Sequence, residues 1–478
     1  MRILVLNCGS SSVKFQLIDM RHESILAKGI VEKIGSSDAI ISYQPKSKNT
    51  IRESREVLNH KDAINILIAM LLHPQHGVIG HKDEIDSIGH RVVHGGEAFS
   101  GSVLITEKVK AVIQQCIQFA PLHNPHNLKG IEACEKLLPG ISQVAVFDTA
   151  FHQTIPPKAY IYGLPYALYK KLGIRRYGFH GTSHRYVAEK AAEFIGSSLK
   201  SMKLITCHLG NGASITAIDG GKSVDTSMGF TPLEGLVMGT RCGDIDPALV
   251  PYIMERENLS TDQIDSIMNK NSGMLGLTAT SNDMREIEAE ALRGSAQHKL
   301  ALDIYCHAVK KYVGAYMAEL GKIDAIVFTG GIGENSNYVR GQSLSNMEAY
   351  GVGIDPKKNK KNMTDIGSGS VKILVIPTNE ELAIARDTKQ VLGSFDKDKK
   401  ATLPEAPISK KLTALDDHEK VELVLLWSNY PRVSVSQLTQ KLNEKIGKHF
   451  KEQIIKQELH ILGLRKISID KDEIKNDQ

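Results

Sequence analysis

The chain has little of what would place it outside a reducing, aqueous compartment. Its six cysteines among 478 residues, Cys8, Cys116, Cys134, Cys207, Cys242 and Cys306, contain no C-x-x-C pair and no framework spacing. That argues against a disulfide scaffold and against a Cys/His zinc cluster, and leaves reduced thiols acting as small buried hydrophobes. No apolar run approaches the roughly 18 residues of a membrane span. The N-terminus lacks a basic stretch, a long apolar stretch and a small-residue cleavage site, so a cytoplasmic protein without a membrane partner is expected. Charge of one sign is also lacking: 59 Lys and Arg against 54 Asp and Glu leave a net +5, with the two signs interspersed. Nucleic acid and acidic membranes are therefore not expected as partners, whereas small anionic ligands are. The single tryptophan, Trp427, reads as core.

What is present is a set of glycine- and serine-rich turns behind apolar strands. In Ile3-Leu-Val-Leu-Asn-Cys-Gly-Ser-Ser-Ser-Val-Lys-Phe-Gln-Leu-Ile-Asp19, a small polar turn joins two strand-like runs. Gly9 lets the backbone approach a ligand, Ser10 and Ser12 offer hydroxyls, and Lys14 adds a compact positive charge, as a phosphate-binding hairpin requires. The segment Leu204 to Asp219 repeats that plan around His208, Leu209, Gly210, Asn211 and Gly212. A third turn, Gly330-Gly-Ile-Gly-Glu-Asn335, follows the apolar run Ala325-Ile-Val-Phe328. One glycine-rich loop is a weak signal, but three in order indicate two copies of one nucleotide-grasping unit.

Helices are expected at Asp62–Leu72, Thr106–Phe119 and near 284–320, and strands at Val144–Phe147, 325–328 and 371–376. Their alternation indicates an α/β class with partly parallel sheets. The length suits two or three domains. They are placed as a first lobe at 1–150, a second at 151–395 whose last helix packs on the first, a polar, proline-stiffened linker at 396–409 and a small helical module at 410–478. In that module Ser434 and Gln437 have capping-box spacing and Leu438, Leu442 and Ile446 recur every four residues before Gly447. Phe450, Ile454 and Leu459 begin a further helix ended by Gly463. The module resembles a helix-turn-helix or winged-helix unit. Its balanced charge favours contact with a protein partner over nucleic acid.

The ordered series Asn7-Cys-Gly-Ser-Ser-Ser12, Gly89-His-Arg-Val-Val-His-Gly-Gly96, Pro121-Leu-His-Asn-Pro125, Phe147-Asp-Thr-Ala-Phe-His152, Tyr177-Gly-Phe-His-Gly-Thr-Ser-His184, His208-Leu-Gly-Asn-Gly212, Gly239-Thr-Arg-Cys-Gly-Asp244, Gly330–Asn335 and Pro377-Thr-Asn-Glu-Glu381 resembles the acetate kinase family. That family has duplicated ribonuclease H-like domains, as in actin-like ATPases, around a nucleotide cleft, and the resemblance spans roughly residues 1–390. It implies reversible transfer of the ATP γ-phosphoryl group to acetate, giving acetyl phosphate and ADP, with Mg²⁺ (or Mn²⁺ in its place) and a homodimer. It further implies Arg91 as the carboxylate holder and Arg241 and His180 as stabilisers of the phosphoryl in flight. Asp148 would be catalytic, and Asn7 and Glu380 would serve the metal. Val93, Leu122, Phe179 and Pro232 would line the methyl pocket, with His123 helping to position substrate. Besides Lys14, the serines and the turn at 208–212, ATP would meet Asp283, Met284, Arg285, Gly331, Ile332, Gly333, Glu334 and Asn335.

The residue types agree with that chemistry. A transferred phosphoryl spreads negative charge over its equatorial oxygens, so cations and hydrogen-bond donors matter more than covalent chemistry. Arg91 and Arg241 present planar forks suited to carboxylate or phosphate. Acetate is already ionised near neutral pH, so Asp148 is expected to orient rather than to abstract a proton. Adjacent Glu380 and Glu381 leave open which carboxylate faces the metal. Two other readings stand beside this one: a propionate or butyrate kinase, and a non-catalytic ATP-binding regulator acting through the C-terminal module.

Overall fold

The computed structural model describes residues 1–46, 49–397, 423, 434–446, 450, 452, 455 and 459. The chain divides into two compact units, one of residues 1–162 with 175–401 and one of 163–174 with 402–478.

The larger unit is built on two sheets. Eight strands make the first: β1 (Arg2–Cys8), β2 (Ser12–Asp19), β3 (Ser24–Glu32), β4 (Ser36–Pro45), β5 (Ile51–Val57), β6 (Ser87–Val92), β7 (Val103–Leu104) and β8 (Ser142–Phe147). Five make the second: β9 (Lys203–Leu209), β10 (Ala213–Asp219), β11 (Lys222–Thr226), β12 (Ala325–Thr329) and β13 (Lys372–Val375). The first runs β5-β4-β3-β2-β1-β6-β8-β7 and the second β11-β10-β9-β12-β13. Within the first, β3-β2-β1-β6-β8 has the same plan as the whole of the second. The opening strand pairs antiparallel with its hairpin partner and parallel with the strand added on its other side. Two ribonuclease H-like sheets in one chain make a duplicated α/β fold of the actin-like ATPase type.

The central strands β1 and β12 carry continuous apolar runs, Ile3–Leu6 and Ala325–Phe328, because both of their faces are covered. In β1, Leu4 and Leu6 pack under α1 (His60–Leu71) and α3 (Asn124–Leu137), while Ile3 and Val5 meet Ile384 and Ala385 on the opposite face. Helix α1 starts where Asn59 Oδ1 accepts the Asp62 amide at 3.0 Å, an N-cap worth about 1 kcal/mol. The stretch expected near 106–119 is α2 (Glu107–Gln115) continued by a single 3₁₀ turn at Cys116–Gln118. Helix α4 (Gly181–Ile195) lines the second sheet.

The helical stretch expected near 284–320 consists of two helices, α5 (Met284–Leu292) and α6 (Ala296–Leu320). Gly294, with φ of 97°, turns the chain between them, and Ser295 caps the second. Helix α7 (Glu380–Lys397) follows the second sheet in sequence but packs against β1, β6 and β8 of the first. The fit is close enough that a Cβ on Gly89 would lie 2.5 Å from Thr388 Oγ1. Five of the six cysteines are buried and Cys242 is half-buried. Desolvation pushes the Cys8 and Cys116 thiols up to about 12.

In the smaller unit, α8 (Val435–Ile446) begins with a reciprocal cap. Gln437 N donates to Ser434 Oγ at 3.1 Å, and Ser434 N to Gln437 Oε1 at 2.8 Å. Leu438 and Leu442 are buried with Leu423, Ile455 and Leu459. Trp427, Gly447, Ile454, Gly463 and linker positions 398–409 lie outside the described residues.

Candidate active site

The C-terminal ends of the parallel strands and the turns beyond them bring the expected residues to one place, as open α/β sheets do. Arg91 lies on β6, Asn7 near the end of β1, and Asp148 immediately after β8. The Arg91 Nε donates to Asp148 Oδ1 at 3.1 Å, and its Nη2 engages the other carboxylate oxygen, so the pairing is two-point. Its Nη1 donates to Asn7 Oδ1 at 3.3 Å, and Glu380 Oε2 lies 3.8 Å from Nε. Asp148 is 1% exposed, so this pair is well shielded from water. Its backbone is tied too: Asp148 N donates to Val92 O at 3.0 Å, and Asp148 O accepts from Gly181 N at 2.9 Å.

The peptide of Gly181 belongs to the Gly178-Phe-His-Gly181 turn that starts α4. A Cβ on Gly181 would sit 2.4 Å from Asp148 O, and one on Gly178, at φ of 72°, would sit 2.4 Å from Thr226 Cγ2. Between them His180 is forced into the left-handed region at φ of 56°, a conformation that costs a non-glycine residue about 1–3 kcal/mol and persists only where its surroundings impose it. The ring is thereby held by Ser214 Oγ at 2.9 Å from Nδ1 and stacks on His208 at 4.3 Å between centroids. Burial first, then the neighbouring His208, His184, Arg91 and Arg241, hold the His180 imidazole well below its ordinary value, so it is neutral.

Arg241 completes the cluster. A Cβ on Gly212 would lie 3.4 Å from Arg241 Nη1 and 3.5 Å from His180 Nε2, so both side chains face the second phosphate-type turn. The guanidinium donates to Pro232 O at 3.4 Å and has no ion pair among the described residues. Its pKa is lowered by desolvation. A half-buried cation without a counter-charge is a site prepared for an anion. His123, at the N-terminus of α3, is lowered to about 4 by burial and then by Arg91 and Arg241, so it lies within electrostatic reach of both arginines.

The remaining expected residues divide. Val93 and Phe179 are buried with His94, and Val93 N donates to Asn127 Oδ1 at 3.1 Å. Leu122 is 55% exposed. Lys14 sits opposite Asn7 in the β1–β2 register, and the first turn is closed by Gly9 N to Ser12 O at 2.8 Å with Ser10 exposed. In the second turn Gly210 N donates to Gly212 O at 3.1 Å, while Leu209 points into the core. Asn282 Nδ2 donates to Asn211 Oδ1 at 3.0 Å and draws the 282–285 segment alongside. Asp283 and Arg285 pair locally, Arg285 N donating to Asp283 Oδ1 at 2.9 Å to cap α5, and Met284 is core.

At the third turn Gly331 is open, whereas Ile332 and Gly333 pack inward. Glu334 accepts from Gly330 N at 3.0 Å and Thr378 N at 3.2 Å, and Asn335 Nδ2 caps Gly331 O at 2.9 Å.

A buried polar chain behind the histidines escaped the sequence reading. Ser214 Oγ lies 2.7 Å from His184 Nε2, whose Nδ1 lies 2.7 Å from Thr206 Oγ1. Ser183 Oγ lies 2.8 Å from both His208 Nδ1 and Thr378 Oγ1. The signal was present: Thr206 stands within Leu204-Ile-Thr-Cys207 and Ser214 within Ala213-Ser-Ile215, apolar neighbours that bury them, and a buried hydroxyl needs a partner. Asn127, bridging Val93 N and Cys8 O, is likewise visible only in three dimensions.

The donor set fits a hard divalent cation. Glu380 stands in the first turn of α7, and its carboxyl is pushed upward chiefly by burial, with the Asp148 and Glu381 carboxylates adding repulsion. Carboxylate and amide oxygens gathered around one space match the few protein contacts that Mg²⁺ takes while keeping water and phosphate oxygens. Of the two glutamates, Glu380 is the one beside Arg91.

The model of the Acetokinase family matches residues 2–386. An acetate kinase of Alkaliphilus metalliredigens is 54% identical over 396 residues, which cover 82% of this chain and 100% of that protein. The crystal structure of Porphyromonas gingivalis acetate kinase superposes with a TM-score of 0.79 at 47% identity over 82% of this chain and 99% of that one. A propionate kinase from Francisella tularensis follows at 0.78 and 46%, with 82% and 99% covered. Fold, ordered motifs and site geometry thus lead to one assignment: the chain belongs to the acetokinase family.

Proposed function

We propose that the protein is an acetate kinase, transferring the γ-phosphoryl group of ATP directly and in line to acetate, reversibly. The observation that carries this reading is the pair of cations with different partners. Arg91 is held rigidly by Asp148, while Arg241 faces the same space without a counter-ion. Arg91 receives the acetate carboxylate and aims one oxygen at the phosphorus. Arg241 and the neutral His180 then donate to the equatorial oxygens as charge develops there, which costs no reorganisation because their positions are already imposed. Asp148 has both oxygens committed to Arg91, so its role is to orient that guanidinium. Val93 and Phe179 exclude water beside the acetate methyl, and His123 is neutral and positions substrate.

Mg²⁺, or Mn²⁺ in its place, would be held at Glu380 and Asn7, where it would neutralise charge on the ATP phosphates. Lys14, the serines of the first turn and the exposed backbone of 210–212 and Gly331 support contacts to ATP. Exposed Ile245, Leu249 and Tyr252 supply apolar surface for a homodimer. No helix among the described residues is long and apolar enough to cross a membrane, which agrees with a cytoplasmic enzyme. The C-terminal unit is proposed as a docking module for a protein partner.

The test is formation of acetyl phosphate, trapped as the hydroxamate, from ATP, Mg²⁺ and acetate, with propionate and butyrate in parallel and Arg241→Ala as control. Turnover highest on acetate and lost in the variant is expected. The propionate kinase likeness supports the second reading, and a pocket of this kind discriminates one methylene by only about 1–3 kcal/mol. Higher kcat/KM on propionate would move the assignment there.

A further inference from the structure

Beside the first phosphate turn, α1 and α3 border an open cavity of about 390 Å³, of whose lining the catalytic reading uses only Ser10. Its wall is basic. Lys61 comes from the first turn of α1, Lys129 and Lys136 from α3, and among the described residues none of the three has an ion pair. The one acidic side chain in the lining is Glu132. At its base the rings of His60 and His126 stack with centroids 4.9 Å apart, and His126 Nδ1 is buried without a hydrogen-bond partner. Both imidazoles are held below their ordinary range by burial, His126 also by His60 and Lys129 and His60 also by Lys129. The field in the cavity is therefore positive even with the histidines neutral.

Two mechanical links join this cavity to the expected ATP site. His60 Nε2 donates to the carbonyl of Gly9 at 2.6 Å, and Ser10 of the same turn forms part of the cavity wall. Helix α3 carries Lys129 into the cavity, is fastened to β1 by Asn127 Nδ2 to Cys8 O at 2.9 Å, and presents His123 to the arginines at its other end.

We propose that this cavity is a second anion site, which takes a small phosphate-bearing metabolite and adjusts the Gly9–Ser12 turn through His60. The ligand class follows from the donors. The wall offers compact lysine charges and one unpartnered imidazole nitrogen, His126 Nδ1, but no arginine fork, which suits the distributed charge of phosphate better than the planar geometry of a carboxylate. The volume exceeds what a lone phosphate fills and leaves room for a diphosphate or a small phosphorylated body. Binding there does not depend on the kinase reading; the effect on ATP does.

Inorganic pyrophosphate is a suitable probe. Calorimetry on the full chain, with the nucleotide site filled by a non-hydrolysable ATP analogue and magnesium in excess, is expected to show one pyrophosphate bound per chain. The Lys129→Ala/Lys136→Ala double variant should bind at least tenfold more weakly. Both lysines are exposed and lie outside the proposed catalytic machinery, so its kcat without pyrophosphate should match that of the unaltered chain. Pyrophosphate should shift the KM for ATP in the unaltered protein by more than in the double variant, where only competition at the nucleotide site remains. No binding, or equal binding by the two proteins, would overturn the site. Binding that leaves the two KM responses identical would overturn the coupling alone, and absence of turnover altogether would count against the kinase reading without touching the calorimetry.

Discussion

At the scale of single residues, the site is a set of side chains whose freedom has been removed by their neighbours. Asp148 gives up both oxygens to Arg91, and Gly181 lets a peptide N–H reach the Asp148 carbonyl. Asp148→Asn keeps that backbone contact and the size of the side chain but loses the charged two-point clamp. Its kcat on acetate should fall roughly 100-fold, the usual consequence of loosening a reactant-holding group, while thermal unfolding shifts little. Turnover near that of the unaltered enzyme would remove Asp148 from both an orienting and a proton-transfer role. Much of this was legible beforehand. Arg91, Asp148, His180 and Arg241 stand in short glycine-flanked motifs, and the chemistry of phosphoryl transfer asks for cations in such loops. What could not be read was direction: Leu209, Met284 and Glu334 lie in motif positions yet turn to the core or to the backbone, because motif spacing says nothing of which side of a turn a side chain takes.

Secondary-structure elements enclose several histidines that are consequently neutral at pH 7. Buried between strands and helices, His90 on β6 and His152 after β8 are lowered to about 4, and His94 after β6 to about 3, in each case first by desolvation. Folded, they are neutral; unfolded, they titrate near the ordinary 6.5. Their stabilising contribution is complete above about pH 6.5 and is lost as pH falls toward 4, since only the unfolded chain takes up protons there. Each histidine should cost about 2 kcal/mol between pH 6.5 and 5. The urea midpoint should therefore be flat from pH 8 to 7 and drop steeply between 6.5 and 5. A midpoint unchanged at pH 5 would show that these rings are hydrated or charged in the folded protein. Elements differed in legibility for a related reason. The apolar runs Ile3–Leu6 of β1 and Ala325–Phe328 of β12 announce central strands, whereas the mixed sequence of β3 to β5, half exposed at the sheet edge, carries no such pattern. The break at Gly294 was hidden because helical periodicity continues on both sides of it.

For the whole molecule, the duplicated sheet plan and the family match both end before residue 400. The aligned residues already span the whole length of an acetate kinase relative, and a chain ending at residue 401 is expected to retain kcat and KM within twofold in the hydroxamate assay. A loss of tenfold or more would assign residues 402–478 a part in catalysis or assembly. The distribution of sulfur carries a further consequence. Five of the six cysteines are buried, Cys8 and Cys134 in one core cluster and Cys207 and Cys306 in another, and one is half open to solvent. A thiol that is both buried and hard to ionise reacts with alkylating reagents only when its surroundings open. Brief iodoacetamide treatment should thus mark Cys242 and leave the others unmodified. The order in which Cys8, Cys116, Cys134, Cys207 and Cys306 later become labelled would chart which layer of the native protein breathes first.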